Sequence, residues 1–228
     1  MDNIKLTREL IEAGGIDAIV ARDAPTMRIL SEAERTESLR ATLAAKPHDD
    51  VWLFGYGSLI WNPTVHFVER RTARIEGWHR SFCLSALVGR GSVGNPGILL
   101  GLDEGGECTG VAFRIDATLV EAELATLWKR EMLSGSYKPR WLDVTDEKGA
   151  RFGSAIAFTI DRNCHHYAGH LTPEEIVHRL ATASGALGSA ADYLFQTCAS
   201  LHSHGIPDPA LDALEQAVVA AREASLDR

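Results

Sequence analysis

Apolar residues follow two different periods along the 228-residue chain. From Val51 onward, β-branched and aromatic residues form short runs separated by glycine-rich turns, which is typical of β-strands. Six runs are predicted as strands: VWLF, VHFVERRTARI, SFCLSALV, CTGVAFRI, RWLDV and FGSAIAFTI. Glycines are dense between Gly89 and Gly110. We expect them to serve tight turns and bulges, because the chain has neither a phosphate loop nor a complete dinucleotide-binding glycine pattern.

Helical periodicity and capping signals predict the other elements. A serine or threonine followed three residues later by an acid is the signature of a helix start. Six helices are predicted: about Thr7–Ala13, Ser31–Ala45, Thr118–Leu133, one opening at Thr172-Pro173, one from Ser189 to Gly205 and one from Asp208-Pro209 to about Ala224. The order of helices, strands, helix, strands and helices indicates an α+β domain built around a curled sheet or small barrel.

The domain boundary is predicted at Pro47, because proline and its polar neighbours stop the second helix. Residues 1–46 are then an N-terminal helical extension, and residues 47–228 form the main domain. The formal net charge of −8 argues against broad nucleic-acid binding. No apolar run is long enough to span a membrane, and the N-terminus is too acidic for a signal peptide, so we expect a cytoplasmic protein. Four scattered cysteines predict neither disulfides nor a thiolate metal site.

The stretch VWLFGYGSLIWNP, residues 51–63, is an unusual turn. Hydrophobic strands commonly end in solvated turns, but this one keeps apolar residues on both sides. We therefore expect a buried turn whose polar content is backbone amides and the Ser58 hydroxyl. That composition predicts a small pocket.

Glu131 is the most informative residue of the predicted helix at 118–133. Val120, Leu124 and Leu127 form an apolar stripe, and Glu131 is the next position on it, whereas Arg130 is predicted to face solvent. Burial and the negative end of the helix dipole would both raise the Glu131 pKa, toward the range of a general base near neutral pH. The alternative is an exposed carboxylate, or one in an ion pair with Arg130 or Arg140.

Three stretches resemble the ChaC-type γ-glutamylcyclotransferases: FGYGSLIWNP, the segment from Arg130 to Tyr137, and GALGSAADYL from Gly185 to Leu194. The resemblance implies a γ-glutamylcyclotransferase-like mixed barrel and cleavage of glutathione into 5-oxoproline and Cys-Gly. It implies a small-molecule substrate and no metal or cofactor. Carried over residue by residue, it makes Glu131 the catalytic acid/base. The γ-glutamyl group would then be held by Tyr56, Gly57, Ser58 and Leu59.

The chain departs from the family pattern at two places. Ala190 and Asp192 stand where the family often has asparagine and glutamate, and Arg90-Gly91-Ser92-Val93 replaces an Arg-Gly-Thr-Pro segment. These departures bear on substrate preference and local packing more than on the reaction. Glutathione and other γ-glutamyl peptides or amines therefore stay open as substrates.

Five further side chains bear on the site, and two of them, Tyr137 and Arg90, have a structural alternative. Tyr137 is a donor to the substrate or Glu131, or an aromatic residue that packs the loop. Arg90 meets the glycine carboxylate of glutathione, or is a solvated loop arginine, which we favour. Tyr193 is expected in the core. Trp52 and Trp61 are expected to wall the pocket.

Three rival functions follow from other residues. The histidines His165, His166 and His170, with His202 and His204, suggest a zinc hydrolase, although the spacing does not give H-E-x-x-H. A Ser58 nucleophile is disfavoured because the turn is not G-x-S-x-G and no helix is expected directly after it. The N-terminal extension and the acidic surface suggest a non-catalytic binding or regulatory module. The presence of Glu131 argues against that function.

Overall fold

The structure, a computed structural model, describes residues 4–226. Five strands close into a barrel in the order β1-β3-β2-β4-β5. They are β1 (Val51–Gly55), β2 (Glu69–Ala86), β3 (Gly97–Ile115), β4 (Tyr137–Thr145) and β5 (Arg151–Ile160). The predicted α+β class with a barrel and flanking helices is confirmed.

Strand β1 is buried at all five residues and lies between two partners. It pairs antiparallel with β3, Leu53 opposite Phe113, and parallel with β5, Leu53 opposite Ile156. A strand covered on both faces carries a continuous apolar run, and VWLF in β1 has that pattern. Because β1 is fixed on both sides, the turn that follows Gly55 has a defined position.

Strands β2 and β3 form one long antiparallel hairpin. The prediction of two separate strands, VHFVERRTARI and SFCLSALV, is wrong, because β2 continues through both runs with a register shift beside Gly77. Gly77 has φ 79°, so the bulge needs a residue that tolerates the left-handed region. Part of the glycine-dense segment also lies inside β3. There a Cβ on Gly110 would stand 2.3 Å from the Gly55 carbonyl oxygen, so this glycine permits close strand contact.

Eight helices pack around the barrel in the described part of the chain. They are α1 (Arg8–Glu12), α2 (Gly15–Asp23), α3 (Glu32–Ala44), α4 (Ser58–Trp61), α5 (Val120–Glu131), α6 (Pro173–Thr182), α7 (Ala190–Ser203) and α8 (Pro209–Leu226). Two two-residue strands, β6 (Ser184–Gly185) and β7 (Gly188–Ser189), precede α7. The capping boxes at Ser31, Thr172 and Ser189 are confirmed. Among these helices, none is long and apolar enough to cross a bilayer.

Two helix predictions are wrong. The Thr118 capping box does not form, because the Thr118 hydroxyl donates to the Asp116 carboxylate (2.6 Å) and α5 begins at Val120. Helix α2 was missed because it has no polar N-cap. It begins after Gly14, whose φ of 75° places it in the left-handed region.

The N-terminal helices pack directly on the barrel domain. Helices α1 and α3 contact α5, and α3 also contacts β4. The Trp128 indole donates to Ser38 Oγ (3.2 Å), and the Trp141 indole donates to the Thr42 carbonyl (2.8 Å). The Leu30 N–H donates to the Leu133 carbonyl beyond the end of α5 (2.8 Å). The division at residue 46 stays a prediction, but residues 1–46 are not a loosely attached tail where they are described.

Candidate active site

A cavity of 560 Å³ lies where the β1–α4 turn, the end of α5 and the start of α7 meet. This volume is within the range of about 300–1,000 Å³ that small-molecule sites occupy. Four of the predicted site residues line it: Ser58, Arg90, Glu131 and Tyr137. Residues from three separate segments of the sequence therefore meet in one place.

Glu131 is the last residue of α5 and lines the cavity. Its side chain is 12% exposed. Burial raises the pKa of the Glu131 carboxyl, while the positive charge of Arg130 opposes the rise. The predicted direction of the pKa shift is confirmed. The carboxylate is largely desolvated yet reachable from the cavity, as a group that exchanges protons with a bound molecule must be.

Arg130 was predicted to face solvent, and this is wrong. Its side chain is 6% exposed and its Nε lies 2.9 Å from Glu131 Oε1. The same guanidinium donates to Ser58 Oγ (2.8 Å) and to the Asn62 carbonyl (2.6 Å). The ion pair that was the structural alternative for Glu131 therefore exists inside the cavity. It joins the candidate base to the β1–α4 turn.

The turn after β1 contributes Ser58 to the cavity wall, and its other predicted residues are buried. Tyr56 and Leu59 pack in the hydrophobic core, where the Tyr56 hydroxyl donates to the Phe158 carbonyl (2.9 Å). Gly57 precedes α4, a single helical turn, so the expectation that no helix follows directly is wrong. A Cβ on Gly57 would stand 3.0 Å from the Tyr193 hydroxyl. Glycine is therefore needed for that hydroxyl to lie against the turn.

Two tyrosines line the cavity near Glu131. The Tyr137 hydroxyl donates to the Leu100 carbonyl (2.7 Å), and burial holds the pKa of Tyr137 well above its usual value. Tyr193 was expected in the core. It is buried there, but it also borders the cavity, and burial together with the Glu131 charge raises its pKa to about 12. Both phenols stay protonated at neutral pH. Tyr193 is a candidate hydrogen-bond donor, whereas the Tyr137 proton is already donated to the Leu100 carbonyl.

Arg90 is half-buried in the cavity wall, so the expectation of a solvated loop arginine is wrong. Its guanidinium donates to the Ser189 carbonyl (3.2 Å). Burial lowers the pKa of Arg90, while the charge of Asp192 opposes that effect. Asp192 also closes the α7 capping box by accepting from the Ser189 N–H (3.2 Å). Asp192, which stands where the family often has glutamate, thus caps α7 and lies beside Arg90.

Of the two tryptophans expected to wall the pocket, one does. Trp61 lines the cavity and its indole donates to Thr197 Oγ1 (3.3 Å). Trp52 instead packs edge-on against Phe152, with ring centroids 5.2 Å apart, and under the Arg71 guanidinium. The Trp52 expectation is wrong because successive strand residues point to opposite faces, which sends this side chain away from the turn.

The histidine clusters do not form a metal centre within residues 4–226. The one set of three donors found there within 4.8 Å of one another lies between α7 and α8, and consists of Cys198, Asp212 and Glu215. Burial and the neighbouring carboxylates raise the pKa of Cys198 to about 12. His166 is the one histidine that lines the cavity, and burial lowers its pKa.

Comparison with known proteins places this arrangement in a family. Residues 51–221 match the family described as ChaC-like protein. This chain belongs to the ChaC-like family. It is 44% identical over 185 residues to the glutathione-specific γ-glutamylcyclotransferase of Escherichia coli K12. The aligned region covers 81% of this chain and 80% of that protein.

A second relative and a solved structure are also similar to this chain. The glutathione-specific γ-glutamylcyclotransferase 1 of Danio rerio is 30% identical over 77% of this chain and 95% of its own length. The crystal structure of a yeast γ-glutamylcyclotransferase specific to glutathione matches with a TM-score of 0.68 at 22% identity, over 77% of this chain and 98% of that one. At that identity the match shows that the two chains share a fold.

Sequence reasoning missed several residues of the ChaC-like site. Arg130 falls on the polar side of the α5 pattern, and no one-dimensional signal shows that the turn after β1 covers that side. Tyr193 fits the apolar pattern of a core residue. Its place beside a capping box, within the third stretch that resembles the family, was nevertheless a signal that it belongs to the site. The N-terminal residues that line the cavity, Ile4–Thr7 with Ile16, Ile19 and Met27, lie outside the matched segment.

Proposed function

We propose that this chain is a γ-glutamylcyclotransferase that cleaves glutathione into 5-oxoproline and Cys-Gly, with Glu131 as the general acid/base. The observation that carries the proposal is a desolvated carboxylate with a raised pKa, held by Arg130 against the β1–α4 turn in the wall of the cavity. The E. coli and Danio rerio relatives bear the names of this activity. A cytoplasmic location stays a prediction.

The substrate supplies its own nucleophile in this reaction. The α-amine of the γ-glutamyl group attacks the γ-carbonyl carbon, a five-membered lactam forms, and the amide bond to the cysteinyl nitrogen breaks. When the pose is aligned, intramolecular attack of this kind can contribute roughly 7–11 kcal/mol to lowering the barrier. The cavity therefore has to fold the γ-glutamyl chain rather than present a serine or cysteine nucleophile.

Proton transfer is the task of Glu131. An α-amino group is mostly ammonium at neutral pH, since its pKa is about 8, and it cannot attack until it loses a proton. Glu131 takes that proton, and after ring closure passes it to the departing cysteinyl nitrogen. A second proton follows the same route, so that the lactam keeps one N–H and Cys-Gly leaves as an ammonium. A raised carboxyl pKa brings Glu131 closer to the amine in proton affinity.

The β1–α4 turn and the tyrosines hold the rest of the γ-glutamyl group in this proposal. Backbone N–H groups of residues 57–59 and the Ser58 hydroxyl bind the α-carboxylate or the oxyanion. Tyr56 and Leu59 fix the turn from the core side, where they are buried. The Tyr193 hydroxyl, which lies against this turn, is a further donor to the γ-glutamyl group, and the Tyr137 hydroxyl, whose proton goes to the Leu100 carbonyl, can accept from the substrate ammonium. Arg90 stays a candidate for the glycine carboxylate.

Release of 5-oxoproline from glutathione, measured by chromatography for the purified wild type and for Glu131→Gln, tests the proposal. Wild-type product with a loss of about a hundredfold or more in the variant is expected, because general acid–base groups contribute about 10²–10⁴-fold. Glu121→Gln, on the exposed side of α5, is the matched control. Far-UV circular dichroism verifies the fold of each variant.

Each other outcome has a definite meaning. Wild-type product from γ-glutamyl amines but none from glutathione would retain the chemistry and overturn the substrate. No product from any γ-glutamyl compound would favour a binding or regulatory module. Full activity in Glu131→Gln would remove Glu131 from the mechanism.

A further inference from the structure

The N-terminal segment Ile4–Thr7 lies along the cavity and turns back on itself where the Thr7 N–H bonds to the Lys5 carbonyl (3.0 Å). We call it the N-terminal strap. At one end the Ile4 N–H donates to the Ala186 carbonyl in the β6–β7 hairpin (2.9 Å). At the other end the Asn62 side chain, which follows α4, donates to the Leu6 carbonyl (2.8 Å). All four strap residues line the cavity. The strap is therefore bonded to two separate segments next to the cavity, the β6–β7 hairpin and the residue after α4.

The strap is held by the surrounding structure at its C-terminal end. Arg8, the next residue, pairs with the buried Glu123 of α5 and donates to the Thr64 carbonyl (3.4 Å). Asn62, which bonds to the strap, also accepts from Arg130, the partner of Glu131. The position of the strap is therefore linked to the candidate base through two hydrogen bonds and the Arg130–Glu131 ion pair.

Three cationic side chains line the cavity, and they differ in how far their charge is already compensated. Arg130 pairs with Glu131. Arg90 is half-buried and faces the charge of Asp192. Lys5, on the strap, is exposed, and among residues 4–226 no carboxylate lies within 4.0 Å of its amino group. Lys5 is thus the cation with most charge left for a bound anion.

One neighbour of Lys5 in the chain leads through backbone hydrogen bonds to the segment that carries Arg90. Its neighbour Ile4 bonds to Ala186, and the adjacent Leu187 N–H bonds to the Gly89 carbonyl (2.8 Å), next to Arg90. The strap, the hairpin and residues 89–90 are therefore successive layers of one wall. The γ-glutamyl end of a substrate belongs at Glu131, so the leaving part of the molecule extends toward this wall.

We infer that Lys5 is a specificity-determining residue that pairs with the terminal carboxylate of the peptide leaving group, with Arg90 beside it. The inference rests on the proposed function and narrows its substrate class. The site favours γ-glutamyl peptides that end in a free carboxylate over γ-glutamyl amines or amidated peptides. The contact lies far from the bonds that change, so it stabilises bound substrate and transition state alike and acts on KM more than on kcat.

Paired kinetics with glutathione and its C-terminal amide test the inference. The two peptides have the same γ-glutamyl group and scissile bond and differ in the distal charge. For the wild type we expect kcat/KM for glutathione to exceed that for the amide by about fivefold, as a partly exposed ion pair allows. In Lys5→Gln the ratio falls to about one through a higher KM for glutathione, and Lys5→Arg restores it. Lys46→Gln, an exposed lysine outside the cavity lining, leaves the ratio unchanged.

The outcomes separate the inference from the proposed function. A wild type that releases 5-oxoproline from both peptides, with Lys5→Gln losing activity equally on both or on neither, overturns the inference and leaves the cyclotransferase activity standing. A change in kcat alone would also overturn it, because it would indicate displacement of the strap rather than loss of a charge contact. A wild type that acts on neither peptide overturns the proposed function, and the inference with it.

Discussion

The Nε atom of Arg130 lies 2.9 Å from Oε1 of Glu131, the residue that follows it in the chain. The same guanidinium bonds to Ser58 in the β1–α4 turn (2.8 Å). One planar group with fixed donor directions thus sets the distance between the candidate base and the turn proposed to hold the substrate. The guanidinium also supplies the positive charge that opposes the upward pKa shift of Glu131.

Removing the Arg130 charge should change both the rate and its pH dependence. In Arg130→Met we expect kcat/KM to fall by about one to two orders of magnitude, because the base and the turn lose their alignment. The acid limb of the pH–rate profile should move to higher pH, since loss of the cation raises the Glu131 pKa further. The measurement is kcat/KM for 5-oxoproline release between pH 5 and about 9.

Lys129→Met is the matched control for the Arg130 variant. Lys129 is the preceding residue in the last turn of α5, and its amino group donates to the Glu12 carbonyl (3.3 Å) instead of entering the site. The pH–rate profile of Lys129→Met should overlay that of the wild type. An Arg130→Met profile that is lower but unshifted in pH would contradict the electrostatic part of the prediction.

Glu131 should make the stability of the protein depend on pH. Its folded-state pKa is raised above the ordinary value of 4.5, so its contribution to stability is fully present below pH 4.5 and is lost as pH rises through the folded pKa. Glu131→Gln cannot titrate. The free energy of unfolding of the variant, relative to the wild type, should therefore increase from acid to neutral pH.

Urea unfolding of the wild type and Glu131→Gln at several pH values from 4.5 upward measures this difference. Glu121→Gln, which is exposed, is expected to show no such trend over the same range. A constant difference between Glu131→Gln and the wild type would mean that the carboxyl is not perturbed in the folded state.

A side chain at Gly57 should destabilise the protein because it would clash with the Tyr193 hydroxyl, and a second mutation that removes this hydroxyl should relieve the clash. In Gly57→Ala the new methyl would lie 3.0 Å from the Tyr193 hydroxyl, so the ring or the turn must shift. We expect a loss of about 1–3 kcal/mol in the free energy of unfolding, as for other overpacked sites, and a higher KM. Tyr193→Phe removes the atom that clashes, so the double variant should recover part of the stability.

Gly94→Ala is the control for the Gly57 variant. A Cβ at Gly94 would meet nothing within 4 Å, so this change should leave both stability and KM unchanged. If Gly57→Ala behaved like Gly94→Ala, close approach of the Tyr193 hydroxyl would not be what requires glycine in the turn.

The N-terminal segment should contribute measurably to stability through Arg8. Glu123 is 3% exposed, and Arg8 and the His66 N–H both bond to its carboxylate. In Arg8→Met the carboxylate loses its charged partner. We expect a loss of about 1–3 kcal/mol at neutral pH, at the lower end for buried pairs because Arg8 itself is partly exposed.

Chemical denaturation monitored by tryptophan fluorescence measures the Arg8 effect, with Arg28→Met as control. The Arg28–Glu34 pair is exposed on both sides, so its loss should cost less than about 1 kcal/mol. Burial disfavours the charged Glu123, but the Arg8 and His66 hydrogen bonds outweigh it and lower the pKa of Glu123. The stabilisation that Arg8 confers should therefore fade as acid protonates Glu123.

The elements that could be predicted are those whose signals are local in sequence. Capping boxes at Ser31, Thr172 and Ser189 begin helices as expected, because a cap involves residues three apart. Glu131 could be recognised as misplaced because helical periodicity relates it to Leu124 and Leu127 within two turns. Where two local motifs competed, the prediction failed. At Thr118 the bond to Asp116 replaced the capping box.

The sequence by itself determined the α+β class, the presence of a curled sheet, the buried turn and the buried carboxylate, since each depends on apolar periodicity or on neighbours along the chain. Only the tertiary structure decided that Arg130 turns inward and that Tyr193 and the strap border the cavity. Those positions depend on contacts between residues such as Arg130 and Ser58, which are 72 residues apart. The apolar periodicity of a helix or strand does not show which distant segment of the chain will cover its polar face.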